Sequence, residues 1–343
     1  MRYRSIDALR GVAATAVMAF HYEALLDFQW PNLWPDTARN FFHLGLTGVE
    51  LFFVISGFVI LLTLDRATNS LHFLIGRVAR IYPAYIVSVV LSALFLFSIG
   101  AATPIQAVIN LTLLQKFMMV EDLIPPYWTL AYELLFYFVM ACVVALGLLR
   151  NIDYFAIAWL VLAYAVRISH IDLHALKLEF LTMIKFGHLF IAGMMLYRLV
   201  SGYRSVPVFV ALALAVGYSA FGRDEWWARI PPLTYFLLNG AYIASVWCAA
   251  ITALQPPRWL VESGEYSYSL YLLHLPIALV LVWLADQQHV PRLHAIIVAC
   301  PLTFAASFLS RRFIEIPGQE ALTRILIKLA GKRHAFGLKR PAI

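Results

Sequence analysis

Arg10 and His21 are the two residues with the clearest capacity for chemistry, because they stand eleven positions apart in one apolar run. At about 100° per residue that separation is about 1100°, within about 20° of three full turns, with a rise of about 16.5 Å. On a helix both side chains share a face, and Asp7 lies about 40° from His21 on the same face. A guanidinium presents a planar fork of donors that matches phosphate oxygens. An imidazole, with an ordinary pKa near ~6.5, can take a proton from a hydroxyl at neutral pH. Each residue also has a plainer use: the arginine can snorkel to headgroups and the histidine can bond a backbone carbonyl.

Ionisable groups are costly inside hydrocarbon, so each one within an apolar segment is a candidate. Counting from the expected ends of their segments puts His21, Glu50 and Glu133 at one level, about 8–10 Å below one surface at 1.5 Å per residue. A histidine with two carboxylates has the makings of a general base with orienting or charge-balancing partners, and equally of a buried structural network. Lys185 and His188 fall at a similar depth; either could join the cluster, and facing the outer interface is the favoured expectation. Near the opposite surface Arg77 and Arg80, with Arg10 available, form a cationic patch beside Tyr82 and Tyr85; it suits phosphates, or reflects insertion bias alone. Tyr266, Tyr268, Tyr271 and His274 begin a later segment near that surface.

These residues need elements to hold them. Of 343 residues, 62% are apolar and 13% charged, against roughly 45–50% and 25% in soluble domains. The expected architecture is an all-α integral membrane bundle of about ten transmembrane helices: 6–28, 43–64, 83–99, 128–148, 153–168, 180–199, 206–221, 233–254, 267–285 and 294–312. The opening segment has no small-residue cleavage site and reads as a retained first helix rather than a signal peptide. With the N-terminus inside, the 26 Lys and Arg residues divide 18 to 8 in favour of that side, so both termini read as cytoplasmic. The net charge of +7 therefore reports topology rather than a nucleic-acid partner. Cys142, Cys248 and Cys300 lack ligand-like spacing, so no metal site or disulfide framework is indicated. Residues 1–316 form the expected transmembrane domain. Residues 317–343 form a basic cytoplasmic tail, with Leu322, Ile325, Leu326 and Leu329 opposite Arg324, Lys328 and Lys332 on a helix suited to the membrane surface. Residues 29–40 read as an interfacial loop, and 100–127 as a long outer connection holding a short helix and ending in Pro125 and Pro126, with Trp128 at the outer interface.

Taken together, five segments resemble the acyltransferase-3 family of bacterial membrane proteins, which O-acylate lipopolysaccharide, exopolysaccharide, peptidoglycan and related glycans. They are Ile6-Asp7-Ala8-Leu9-Arg10-Gly11 with His21, Gly48 to Phe58, Arg77 to Pro83, Trp128 to Glu133, and Tyr266 to Pro276; Glu315 and Pro317 echo a closing motif. Glu50 departs from the aspartate of many members. The resemblance implies an acyl-CoA donor on the cytoplasmic side, usually acetyl-CoA and not permanently bound, with a glycan acceptor from the outer side of the bacterial inner membrane. On this reading His21 and Glu133 are catalytic. Arg10, Arg77, Arg80, Tyr271 and His274 hold the acyl-CoA, and Glu50 and Trp128 serve the acceptor or support the base. No soluble hydrolase-like domain follows, so the acceptor chemistry is expected within the membrane domain. Direct attack on the thioester is preferred over an acyl-histidine. The competing readings are a transporter or proton channel with a His/Glu relay, and a structural or flippase partner in a polysaccharide assembly.

Overall fold

The computed structural model describes residues 3–29, 35–66, 69–169, 178–221, 230–252 and 254–334. It is all helical, with no strand among these residues. In chain order the helices are α1 (Arg4–Gln29), α2 (Asp36–Leu44), α3 (Gly48–Leu64), α4 (Ser70–Ser98), α5 (Pro104–Leu111), α6 (Tyr127–Ala145), α7 (Ile152–Ile168), α8 (Gly187–Val200), α9 (Val206–Tyr218), α10 (Pro232–Ile251), α11 (Arg258–Glu265), α12 (Ser267–Gln287), α13 (Arg292–Ser310) and α14 (Ile316–His334). The tryptophans of the expected 29–40 loop, Trp30 and Trp34, lie outside the described residues, as do Arg2, Lys177, Arg223, Arg229, Lys339 and Arg340 of the charge count.

A helix stands at each of the ten expected positions. Seven described helical stretches are long and apolar enough to cross a membrane. The other three have physical reasons to fall short. The first helix, α1, carries Asp7, Arg10, His21, Glu23 and Asp27, while α8 and α9 have 14 and 13 residues, about 21 and 20 Å against the roughly 30 Å of a hydrocarbon core. From Gly187 to Leu199 every residue of α8 is buried, so it meets protein on all sides.

Small residues set the closest crossings. A Cβ on Gly57 would overlap the carbonyl of Phe190, and one on Gly193 the carbonyl of Val54, so α3 and α8 touch backbone to backbone. Gly45 sits on Ala16 and Phe20, and Gly48 on Ala13 and Val17, which runs α3 antiparallel to α1 and fixes their register. The site depends on this register.

The connection from 100 to 127 corrects the expected outer loop. Tyr82 and Tyr85 of α4 donate to the carbonyls of Thr112 and Asn110 at 2.8 and 2.6 Å. These tyrosines stand sixteen and thirteen residues before the end of α4 at Ser98, so α5 and the residues after it return about 20 Å along α4. Irregular backbone is tolerated at such depth only where protein satisfies it. Asn110, fully buried, does so: its side chain donates to the Gln106 and Glu121 carbonyls and accepts from Leu123 N–H. Leu113 and Met119 take left-handed φ of 59° and 57° to make the turns. Helix α6 then starts inside the bundle. Tyr127 bonds Ser88 and Ser92, about 15 and 9 Å short of the end of α4.

At the other end, α13 runs through a π-helical turn, Arg311–Glu315, into α14. There Gly318 packs on Pro83 of α4. Of the apolar face expected on this tail, Leu322 and Leu326 are half-buried, Ile325 and Leu329 exposed.

Candidate active site

A cavity of about 250 Å³ opens between α1, α3, α4, α6 and α12, its polar wall formed by Arg10, Arg77, Arg80, Glu133, Tyr137 and Tyr268, with Gln319 of α14 beside them. The three arginines thus meet at one space, in keeping with their shared end of the bundle. None of them forms a salt bridge among the described residues. Arg77 lies against the rings of Phe73 and Tyr137 at 6.0 and 5.9 Å, with its Nε buried and without a hydrogen-bond partner. Three guanidiniums facing one carboxylate leave the cavity wall cationic. That wall has the composition suited to an anion, and Arg77 Nε is a buried donor left unmatched beside it.

The position of Glu133 corrects the expected level cluster. Its carboxylate accepts from Tyr137 hydroxyl and from Ser56 Oγ at 3.2 Å. Continuing the α1/α3 register places Ser56 opposite the first turns of α1, about 20 Å from the level of His21, and Glu50 opposite Ala13, about 12 Å from it. Glu50 is fully buried and accepts from Tyr235 of α10 at 3.3 Å. Depth counted from segment ends misleads because α3 begins at Gly48 below the separate helix α2, and α6 begins at the level of Ser88 rather than at a surface. The orienting role expected of Glu133 toward His21 therefore has no geometric basis.

His21 instead meets His274. Nδ1 of His21 lies 3.2 Å from Nε2 of His274, with ring centroids 5.0 Å apart. Expected beside the coenzyme, His274 stands one helical turn beyond Tyr271, away from the cavity. Pro276 explains why α12 can hold it firmly. A proline has no N–H for the carbonyl four residues earlier, here Leu272, and Ser88 of α4 donates to that oxygen at 2.8 Å instead. Ser88 is in turn 2.8 Å from Tyr127 hydroxyl, so α4, α6 and α12 are tied together beside the histidine pair.

Tyr271 joins the two parts of the site. It lines the cavity, its ring is 5.9 Å from those of His274 and Phe52, and its hydroxyl is 2.8 Å from Thr129 Oγ1 and 3.2 Å from the Pro126 carbonyl. Tyr268 is fixed by donating to the Ile81 carbonyl at 2.8 Å.

Trp128 departs from expectation. It packs among Phe53, Tyr132 and Phe186 at 6.4, 5.8 and 5.2 Å, an aromatic wall below the end of α4 rather than an interfacial platform. His188, expected at the interface, is buried against Tyr218 at 5.1 Å, while Lys185 pairs with Glu179 at 2.9 Å. Sequence reasoning missed Ser56 and Gln319, which carry no spacing signal, Tyr137, whose four-residue spacing from Glu133 on α6 is one, and the meeting of His274 with His21.

The acyltransferase-3 family model, described as an acyltransferase domain, matches residues 3–312. The exopolysaccharide production protein ExoZ of Rhizobium meliloti (strain 1021) is 28% identical over 330 residues, covering 87% of this chain and 95% of that relative. No solved structure matches. With a match that takes in every helix from α1 to α13 and both histidines, the chain belongs to the acyltransferase-3 family of membrane acyltransferases.

Proposed function

We propose that the protein moves an acyl group, acetyl in the first instance, from cytoplasmic acetyl-CoA to a hydroxyl of an extracytoplasmic or lipid-linked glycan, exopolysaccharide or lipopolysaccharide in class. The observation that carries this reading is the arginine-lined cavity leading by way of Tyr271 to a histidine pair. The similarity to a protein named for exopolysaccharide production supports the acceptor class. In this reading the bundle is a multi-pass protein of the bacterial inner membrane. Ten helices cross or line it, both termini are cytoplasmic, residues 1–316 are the transferase domain and 317–343 a basic tail on the membrane surface.

Arg10, Arg77 and Arg80 hold the donor's phosphates. Ligand pockets for drug-sized molecules span roughly 300–1,000 Å³, so the smaller cavity takes the extended pantetheine arm while the nucleotide stays at the mouth. The thioester passes Phe52 and Tyr271 toward His21, and the acceptor comes from the other side. His21 takes the proton of the acceptor hydroxyl, the oxygen attacks the thioester carbon, the carbon–sulfur bond breaks, and the proton goes to the departing thiolate. The acyl group is never released as a free species.

Purified protein given acetyl-CoA and host glycan should release thiol and acetylated glycan. His21→Ala should lower that rate by about 10²–10⁴ with the protein still folded. A transporter or an assembly partner releases no thiol, and wild-type turnover in His21→Ala removes the base from the reading.

A further inference from the structure

We propose that His274 is the positioning partner of His21 and, together with the Val17 carbonyl, holds its imidazole in the one tautomer whose Nε2 is free to take a proton; this rests on the acyl-transfer reading for its consequence, not for its geometry. The hydrogen positions are set by which atoms can only accept. A carbonyl oxygen donates nothing, and His274 Nδ1 lies 3.2 Å from the Leu270 carbonyl, so that nitrogen carries the hydrogen. A neutral imidazole has one N–H, which makes Nε2 of His274 an acceptor. His21 Nδ1 is 3.2 Å from that acceptor and 2.9 Å from the Val17 carbonyl. With acceptors on both sides, Nδ1 of His21 is the protonated nitrogen. Its Nε2 makes no hydrogen bond among the described residues and keeps its lone pair.

The pairing also suits its surroundings. Tyr22 and Tyr271 put rings 6.4 and 5.9 Å from that of His274, and His274 is itself fully buried. A carboxylate beside His21 would add a charge to a helical membrane bundle, at a cost; a neutral imidazole adds none. In a Ser-His-Asp triad the carboxylate fixes tautomer and ring angle and steadies the imidazolium. His274 supplies the ring angle and, with the Val17 carbonyl, the tautomer. When His21 Nε2 takes the acceptor's proton, its Nδ1–H becomes a charged donor and the bond to His274 Nε2 strengthens. Protonating both rings would set two cations 3.2 Å apart, so the pair holds one extra proton at a time. The acceptor's hydrogen moves to Nε2 as its oxygen bonds the acyl carbon, and passes to sulfur as the carbon–sulfur bond breaks and the thiol leaves.

The test compares wild type, His274→Gln and His274→Leu in nanodiscs. Gln places a carbonyl oxygen where it can accept from His21 Nδ1, and Leu removes the acceptor while filling the space. The ¹⁵N spectrum of histidine-labelled protein should show His21 as the Nδ1–H tautomer in wild type; in His274→Leu, where the Val17 carbonyl alone remains beside Nδ1, the Nδ1–H resonance should shift and part of the population should move to the Nε2–H tautomer. In thiol release, His274→Leu should lower kcat about 10–100-fold, the cost typical of removing an orienting partner. Donor KM should stay within about threefold, and His274→Gln should recover most of the loss. A His21 Nδ1–H resonance and tautomer population both unchanged in His274→Leu overturn the pairing. So does a raised donor KM with kcat intact, which would put His274 in the coenzyme site, or a Gln variant no better than Leu. An inactive wild type would sink the acyl-transfer reading, and the ¹⁵N spectrum would still decide the pairing.

Discussion

Tyr271 and Thr129 meet hydroxyl to hydroxyl at 2.8 Å, closing α12 onto α6 at the boundary between the cationic cavity and the histidine pair. Tyr271→Phe keeps the ring but removes its hydrogen bonds to Thr129 and the Pro126 carbonyl. We expect a loss of about 1–2 kcal/mol of stability, the worth of one or two net hydrogen bonds. Turnover should fall about tenfold, because a ring free to swing no longer holds the thioester in line. Thermal unfolding in detergent and thiol release check both; wild-type turnover would mean the ring does not guide the donor.

The charge balance of the cavity separates donor binding from chemistry. Arg77→Ala and Arg80→Ala should each raise donor KM by about 10–100-fold, since hydrogen bonds to charged groups are worth about 1.5–3 kcal/mol, while kcat changes little. Glu133→Gln should act oppositely. It removes the one carboxylate that the described residues put on the same wall, so donor KM should stay level or fall and kcat should survive. A dead Glu133→Gln with normal donor affinity would restore that residue to the base.

Ser88→Ala tests the tie beside Pro276. It leaves the Leu272 carbonyl and the Tyr127 hydroxyl without the partner each has at 2.8 Å. Leaving a buried group unsatisfied costs about 1–3 kcal/mol. Ser88→Thr keeps the hydroxyl and should stay closer to wild type in a detergent melt. Equal melting of the Ala variant and wild type would show that another donor serves Leu272.

The reach of the sequence is clearest on α1. Arg10 and His21 share a face by arithmetic alone, and hydropathy places a helix at all ten positions. The gathering of Arg10, Arg77 and Arg80 is also legible, since like ends of apolar segments lie at like depths. Depth fails where a helix does not begin at a surface. Glu133 counts down from Pro126, yet Pro126 itself is buried within the bundle. Its segment carries Lys116, Glu121 and Asp122 and reads as a solvated loop, because the ion pair of Lys116 with Asp122 at 2.7 Å and the bonds of Asn110 are long-range facts. His274 is legible as a candidate but not as a partner, since periodicity fixes the face a side chain occupies on its own helix and says nothing of which helix lies opposite.

The two histidines that meet at 3.2 Å are 253 positions apart, one on the first helix and one on α12. During synthesis the imidazole on α1 therefore has only the Val17 carbonyl of its own helix until nearly the whole protein has been threaded into the bilayer. The arginines and Glu133 reach their places much earlier, from α1, α4 and α6. A chain stalled before α12 can assemble part of the arginine wall but not the pair, so on the acyl-transfer reading it has no oriented base to turn on a bound thioester. On that reading catalytic competence arrives late, as a consequence of where the last partner is encoded.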